Sequence, residues 1–162
     1  MRKFSFVKRM KDTSDLKLPE RSTKKSAGYD FYAIEDVEIP PYQIGDNPFM
    51  VATGVKAEME DDEFLMLVNR SSNPKKKKLV IPNSVGIIDA DYFENEDNDG
   101  EMFFGFYNLS RETILISKGD KLGQGIFMKF LKAESDNATG KRKRRHRKYW
   151  KINERNLKNG KV

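Results

Sequence analysis

The apolar positions of this chain fall in short runs cut by turn-forming residues. Phe4 and Phe6 alternate with polar neighbours, and Met10 extends the pattern. Phe31-Tyr32-Ala33-Ile34 and Val37-Glu38-Ile39 are brief and stop at Pro40-Pro41. Met50 to Met59 places Val51, Val55, Ala57 and Met59 at apolar positions. Phe64 to Val68 is a continuous apolar run. Leu79-Val80-Ile81 and Val85 to Ile88 flank Pro82-Asn83, and Met102 to Tyr107, Thr113 to Ile116 and Gly125 to Phe130 complete the series. Short runs bounded by Gly, Pro, Asn and Asp predict an all-β domain. The continuous runs predict strands buried on both faces. One short helix is expected after Ser71-Ser72-Asn73-Pro74, a capping residue followed by proline. Glu94 to Glu101, acidic and glycine-containing, reads as a loop. There is no internal repeat and no long helical period.

The 162 residues suffice for one domain with a real core. With 37% hydrophobic and 35% charged residues, the chain reads as soluble and globular. No apolar run approaches the roughly 20 residues of a transmembrane helix, and the basic start lacks the apolar stretch of a secretion signal. The absence of cysteine excludes disulfides, thiolate zinc sites and thiol catalysis. The single His146 argues against a histidine metal site or a Ser–His triad.

The net charge of +6 is unevenly placed. Of 31 Lys/Arg and 25 Asp/Glu, 11 and one respectively fall in 141–162, which leaves 20 against 24 in residues 1–140. The body is mildly acidic and the tail strongly basic. Composition shifts near Ser135-Asp136-Asn137, predicting a folded domain over 1–137 and a basic tail over 138–162 that is disordered. Only that tail invites a nucleic-acid or anionic-surface role.

Four segments carry candidate chemistry: Ser26-Ala27-Gly28-Tyr29-Asp30, Asn69 to Pro74, Asn83 to Tyr92, and Gly119 to Gly125. Arg70, followed by the hydroxyls of Ser71 and Ser72 and a helix start, suits an anion, because guanidinium forks and free amides match phosphate oxygens. The plainer reading is a surface ion pair with a serine cap. Asp89, between an apolar run and a turn, can hold and deprotonate a water, or be an ordinary turn aspartate. Tyr92 by default packs. Gly119-Asp120 is a hairpin turn on its own merits, and Lys75 to Lys78 reads as a solvated face beside the anion site.

In this order and spacing the segments resemble the trimeric dUTP diphosphatase (dUTPase) family, bacterial and phage branch, from about Leu18 to Phe130. The stretch Asn-x-x-Gly-x-Ile-Asp-x-x-Tyr is the most specific part. The resemblance implies a β-clip fold, a distorted barrel of short strands with one short helix, assembled as a homotrimer whose sites combine segments of different subunits. It implies hydrolysis of dUTP to dUMP and pyrophosphate with Mg²⁺ in the cytoplasm of a bacterial or phage-infected cell. By the same resemblance Asp89 activates the water that attacks the α-phosphorus. Asn83 and the backbone of Gly86, Ile87 and Ile88 read uracil. Tyr92 packs on the deoxyribose and excludes a 2′-hydroxyl. Arg70, Ser71, Ser72 and Gln124 hold the phosphates. No side chain is expected to ligate the metal directly, and Asp30 supports its water shell or the phosphate-site geometry.

The chain departs from the family at its end. Members usually finish in a Gly-Gly-Phe-Gly-Ser-Thr-Gly arm, where this sequence has Lys-Arg-Lys-Arg-Arg-His-Arg-Lys-Tyr-Trp. Written with the codons AGG CGG CAT CGG AAG TAC TGG, Arg144 to Trp150 read one base later as Gly-Gly-Ile-Gly-Ser-Thr-Gly, which points to a frameshifted arm. The alternatives are a weakly catalytic nucleotide-binding regulator, a basic-tailed nucleic-acid binder and, less favoured, the dCTP deaminase branch.

Overall fold

The computed structural model describes residues 1–142, and its regular structure is almost wholly strand. In chain order these are β1 (Lys3–Phe6), β2 (Tyr29–Tyr32), β3 (Val37–Ile39), β4 (Phe49–Ala52), β5 (Val55–Glu58), β6 (Glu63–Asn69), β7 (Leu79–Val80), β8 (Val85–Asp89), β9 (Phe103–Asn108), β10 (Ile114–Ile116) and β11 (Lys121–Lys129). Every pairing is antiparallel. β2-β11-β6-β8 form a four-stranded sheet and β4-β9-β7 a three-stranded one, with β1-β5 and β10-β3 as separate pairs.

The core lies between these sheets, where Phe31, Phe104, Phe106, Leu65, Leu79 and Leu122 are fully buried. Phe31 and Phe104 meet edge-on with ring centroids 5.7 Å apart, an arrangement that favours the positive ring edge against the negative face. Gly123 lets β11 come this close. A Cβ there would sit 2.1 Å from Phe104 Cε1 and 2.7 Å from the Val68 carbonyl.

Three expectations change. The long runs are not buried on both faces: β6 alternates buried with half-buried positions, and β8 alternates exposed with half-buried ones. An antiparallel sheet covered on one side needs only one apolar face. The stretch Met50 to Met59 is two strands. Thr53 Oγ1 donates to the Met102 carbonyl at 2.8 Å and the Gly54 N–H donates to Glu101 Oε1 at 3.0 Å, turning the backbone between β4 and β5. The helix after Ser72 is one π-helical turn, Asn73–Lys77.

No helix among the described residues is long and apolar enough to cross a membrane. The expected basic tail and the shifted-frame arm lie outside the described residues from 143 onward. Residues 138–142 carry no regular structure.

Candidate active site

One group of functional side chains gathers where β2, β11 and the end of β6 adjoin. Gln124 stands opposite Asp30 on one side and Val68 on the other. Asp30 is 2% exposed, so its charge needs partners. Lys121 Nζ and Ser22 Oγ each donate to its Oδ2 at 2.6 Å, and Gln124 Nε2 donates to Oδ1 at 3.0 Å. Burial pushes this carboxyl up, but the three hydrogen bonds and the lysine charge outweigh it, and it lies below its ordinary value. The neighbouring Tyr32 is pushed up to about 12 by burial and by Glu20, against which the charge of Arg70 acts.

Arg70 follows β6 in a turn tied down by asparagines. Asn73 is buried and donates from Nδ2 to the Leu122 carbonyl and to Asn69 Oδ1, both at 2.8 Å, while Asn69 Nδ2 donates to the Leu79 carbonyl at 3.0 Å. These bonds fix the turn against β11. Ser72 makes no side-chain cap bond, and Arg70 forms no ion pair among the described residues. The surface-pair-with-cap reading is therefore not what folds. One π-turn aligns too few peptides to supply the helix-end amides expected from sequence.

A second group lies along β8. Among the described residues this strand pairs with β6 only, so its other edge leaves backbone donors and acceptors open. Asn83 is exposed in the turn before it, Gly86 and Ile88 are half-buried, and Ile87 is 52% exposed. Asp89 ends the strand, exposed, and leads into a 3-10 turn, Ala90–Tyr92. Arg142 Nη1 lies 2.6 Å from Asp91 Oδ1 and 3.4 Å from Asp89 Oδ2, with its guanidinium 4.9 Å from the centre of the Tyr92 ring. Partial burial lowers the pKa of Arg142, but Asp91 and Asp89 more than reverse this and hold it above its ordinary value.

Within one chain Asp89 does not meet the Arg70 group, although the Val85 end of β8 runs beside it. Asp89 pairs with Phe64 and Val85 with Val68, so Asp89 and Arg70 sit at opposite ends of the same strand pair. At about 3.4 Å per residue this separates them by on the order of 20 Å. A cavity of about 700 Å³ lies elsewhere, between Val7 to Arg9 and the loop Glu94 to Glu101, and includes none of the residues expected from sequence.

Residues that the sequence reading left without a role include Lys121, Ser22, Asn73, Asn98 and Arg142. Lys121 and Asn73 lie inside two of the quoted segments, which was the one available signal. Among the described residues no group of three or more His, Cys, Asp or Glu side chains is placed to hold a metal.

A dUTPase family model matches residues 14–150. The deoxyuridine 5'-triphosphate nucleotidohydrolase of Lactococcus lactis is 44% identical over 144 residues, covering 89% of this chain and 93% of that protein. That of Helicobacter pylori is 32% identical over 117 residues, 72% of this chain and 74% of the relative. Among solved structures, the dUTPase of Streptococcus mutans superposes with a TM-score of 0.74 at 40% identity, over 81% of this chain and 98% of that one. The dUTPase of phage phi11 of S. aureus shares the fold, with a TM-score of 0.67 at 21% identity, over 86% and 97% of the two chains.

Proposed function

Since the chain belongs to the dUTPase family, whose members hydrolyse dUTP in nucleotide metabolism, we propose that it cleaves dUTP to dUMP and pyrophosphate at a site completed between subunits of a homotrimer. The observation that carries this reading is the separation of Asp89 from Arg70. Neither half suffices alone. Among the described residues the one cation beside Asp89 is Arg142, which is paired with Asp91 and Asp89, and the Arg70 turn has no water-activating carboxylate free, because Asp30 is engaged by three donors.

In the completed site Arg70, Ser71 and Ser72 hold the triphosphate with Gln124, which keeps a second amide hydrogen for a phosphate oxygen. Asp30 positions Gln124. Asn83 and the open backbone edge at Gly86, Ile87 and Ile88 read the uracil. Fixed donors and acceptors there leave the amine of cytosine badly paired, at a cost of about 1–3 kcal/mol per unmet buried group. Tyr92 packs on the deoxyribose. Asp89 orients a water against the α-phosphorus and accepts its proton; the bond from that phosphorus to the bridging oxygen breaks and pyrophosphate leaves.

Members of the family generally use Mg²⁺. Both oxygens of Asp30 are taken by protein donors, so the oxygens that fit the ion are those of phosphate and water, the surroundings magnesium prefers. When bound it would neutralise triphosphate charge.

Asp89→Asn tests the assignment. It should bind a non-hydrolysable dUTP analogue while turnover falls by about 10²–10⁴-fold, the usual loss on removing a general base. Unchanged turnover would take Asp89 out of the reaction.

A further inference from the structure

Tyr92 is held from behind by a loop that the proposed chemistry does not use. The Tyr92 hydroxyl donates to the Glu101 carbonyl at 3.0 Å and accepts from Asn98 Nδ2 at 2.8 Å. The same Asn98 amide donates to the Glu101 carbonyl at 3.0 Å, while Asn98 Oδ1 accepts from Asn95 Nδ2 at 2.9 Å and from the Gly100 N–H at 3.2 Å. Both hydrogens and both acceptor directions of Asn98 are therefore used. Asn95 also donates to the Tyr92 carbonyl at 2.7 Å, so the residue is gripped at its backbone and at its hydroxyl. Gly100 lets the loop close this tightly. Its φ is +84° and a Cβ there would lie 2.8 Å from the Tyr92 carbonyl oxygen.

The loop itself is anchored to the body. Lys56, 5% exposed, donates to Glu94 at 2.8 Å and to Asp99 at 3.1 Å, and lies 5.0 Å from the centre of the Phe93 ring. The Lys8 N–H donates to Asp99 Oδ2 at 2.7 Å, and Arg9 Nε donates to Glu101 Oε2 at 2.7 Å. A tyrosine ring can exclude a 2′-hydroxyl only if it cannot swing aside. One hydroxyl clamped between a fixed carbonyl and a saturated amide supplies that stiffness, because a half-buried network with all its members satisfied favours one arrangement.

We propose that Asn98 is a positioning residue for sugar discrimination, locking the Tyr92 ring in the orientation that admits a deoxyribonucleoside triphosphate and refuses a ribonucleoside triphosphate. The inference rests on the reading that Tyr92 packs on the sugar. It is tested by kcat/KM for dUTP and for UTP in wild type, Tyr92→Ala, Tyr92→Phe, Asn98→Ala and the Tyr92→Phe/Asn98→Ala double variant. Asn98→Ala should lower the dUTP:UTP ratio by about three- to ten-fold, the scale of one hydrogen bond, with a rise in the UTP value carrying the change. Tyr92→Phe removes only the hydroxyl and should lose as much. The double variant should lose no more than either single one, since both break the same contact.

A merely structural Asn98 would lower both substrates together. If Tyr92→Ala loosens the ratio but Asn98→Ala and Tyr92→Phe do not, the role of Asn98 is overturned and that of Tyr92 stands. If wild type does not discriminate, or Tyr92→Ala leaves the ratio unchanged, the sugar role of Tyr92 fails and the inference with it.

Discussion

Asp89 and Arg70 stand at opposite ends of one strand pair, Asp89 across from Phe64 and Arg70 just beyond Asn69 at the far end of β6. A triphosphate presents its phosphorus atoms within a few ångströms of one another. Its α-phosphate cannot meet Asp89 while the same chain's Arg70, on the order of 20 Å away, holds its neighbours. In the homotrimer we propose, head-to-tail contact would bring one chain's β8 to another chain's Arg70 turn, and three copies would close such a ring.

In the proposed site Asp30 supports the phosphate end. In Asp30→Asn one acceptor oxygen becomes an amide NH2 donor, which leaves Lys121 and Ser22 short of an acceptor beside a buried group. The expected cost is about 1–3 kcal/mol, or a fall in Tm of several degrees at about 2–4 °C per kcal/mol for a chain of this size. KM for dUTP should rise as the side chain at 30, no longer held by Lys121 and Ser22, positions Gln124 less firmly. Calorimetry with steady-state kinetics checks both; an unchanged Tm would remove the network from the stability of the fold.

The pH dependence of stability has a definite sign. Burial raises the pKa of Asp30 and of Asp99, but lysine and N–H or hydroxyl donors outweigh it and hold both below the ordinary 3.8. A carboxyl depressed in the folded state contributes stability that is fully present above its unfolded value and is lost as pH falls through its folded one. Tm attributable to these groups should therefore be flat from neutrality down to about pH 5 and fall below about pH 4, with a shallower acid limb in Asp30→Asn. Equal acid limbs in the two proteins would contradict the assignment.

Much of the strand placement was legible, because apolar runs such as Phe64 to Val68 and Leu79 to Ile81 give way to turn-forming residues within one or two positions of the strand ends. The split of β4 from β5 was not, since it depends on Thr53 reaching Met102 far along the chain. The start of β11 was hidden for a similar reason. Lys121 to Gln124 shows little apolar pattern, and Gly123 belongs to the strand because Phe104 needs its space. The proposed site residues were legible as motifs, whereas the side chains that orient them were not. Lys121 is 91 positions from Asp30, and Asn98 lies in a loop that read only as acidic.

Gly123→Ala should destabilise the fold through β11. Its Cβ would overlap Phe104 and the Val68 carbonyl, and forcing a methyl into a packed core typically costs about 1–3 kcal/mol. Denaturant unfolding should show a lower midpoint with an unchanged slope. A wild-type midpoint would mean that the two sheets separate more easily than their packing implies.

Arg142→Ala should uncover the Tyr92 ring and release Asp89 and Asp91. The carboxylates are 60% and 56% exposed, so pairs of this kind contribute about 0.2–1 kcal/mol each at most. KM for dUTP should fall, by no more than about five-fold on that scale. An increase in KM would show that Arg142 acts on the nucleotide itself.

Subunit complementation tests the shared site most directly. Asp89→Asn and Arg70→Ala are each made inactive, then co-refolded in equal amounts and assayed with dUTP. If Asp89 of one chain works with Arg70 of another, about a quarter of the sites in randomly mixed rings receive both intact residues, and activity returns towards that fraction of wild type. A mixture no more active than its separate components would place the whole site within one chain and contradict the account.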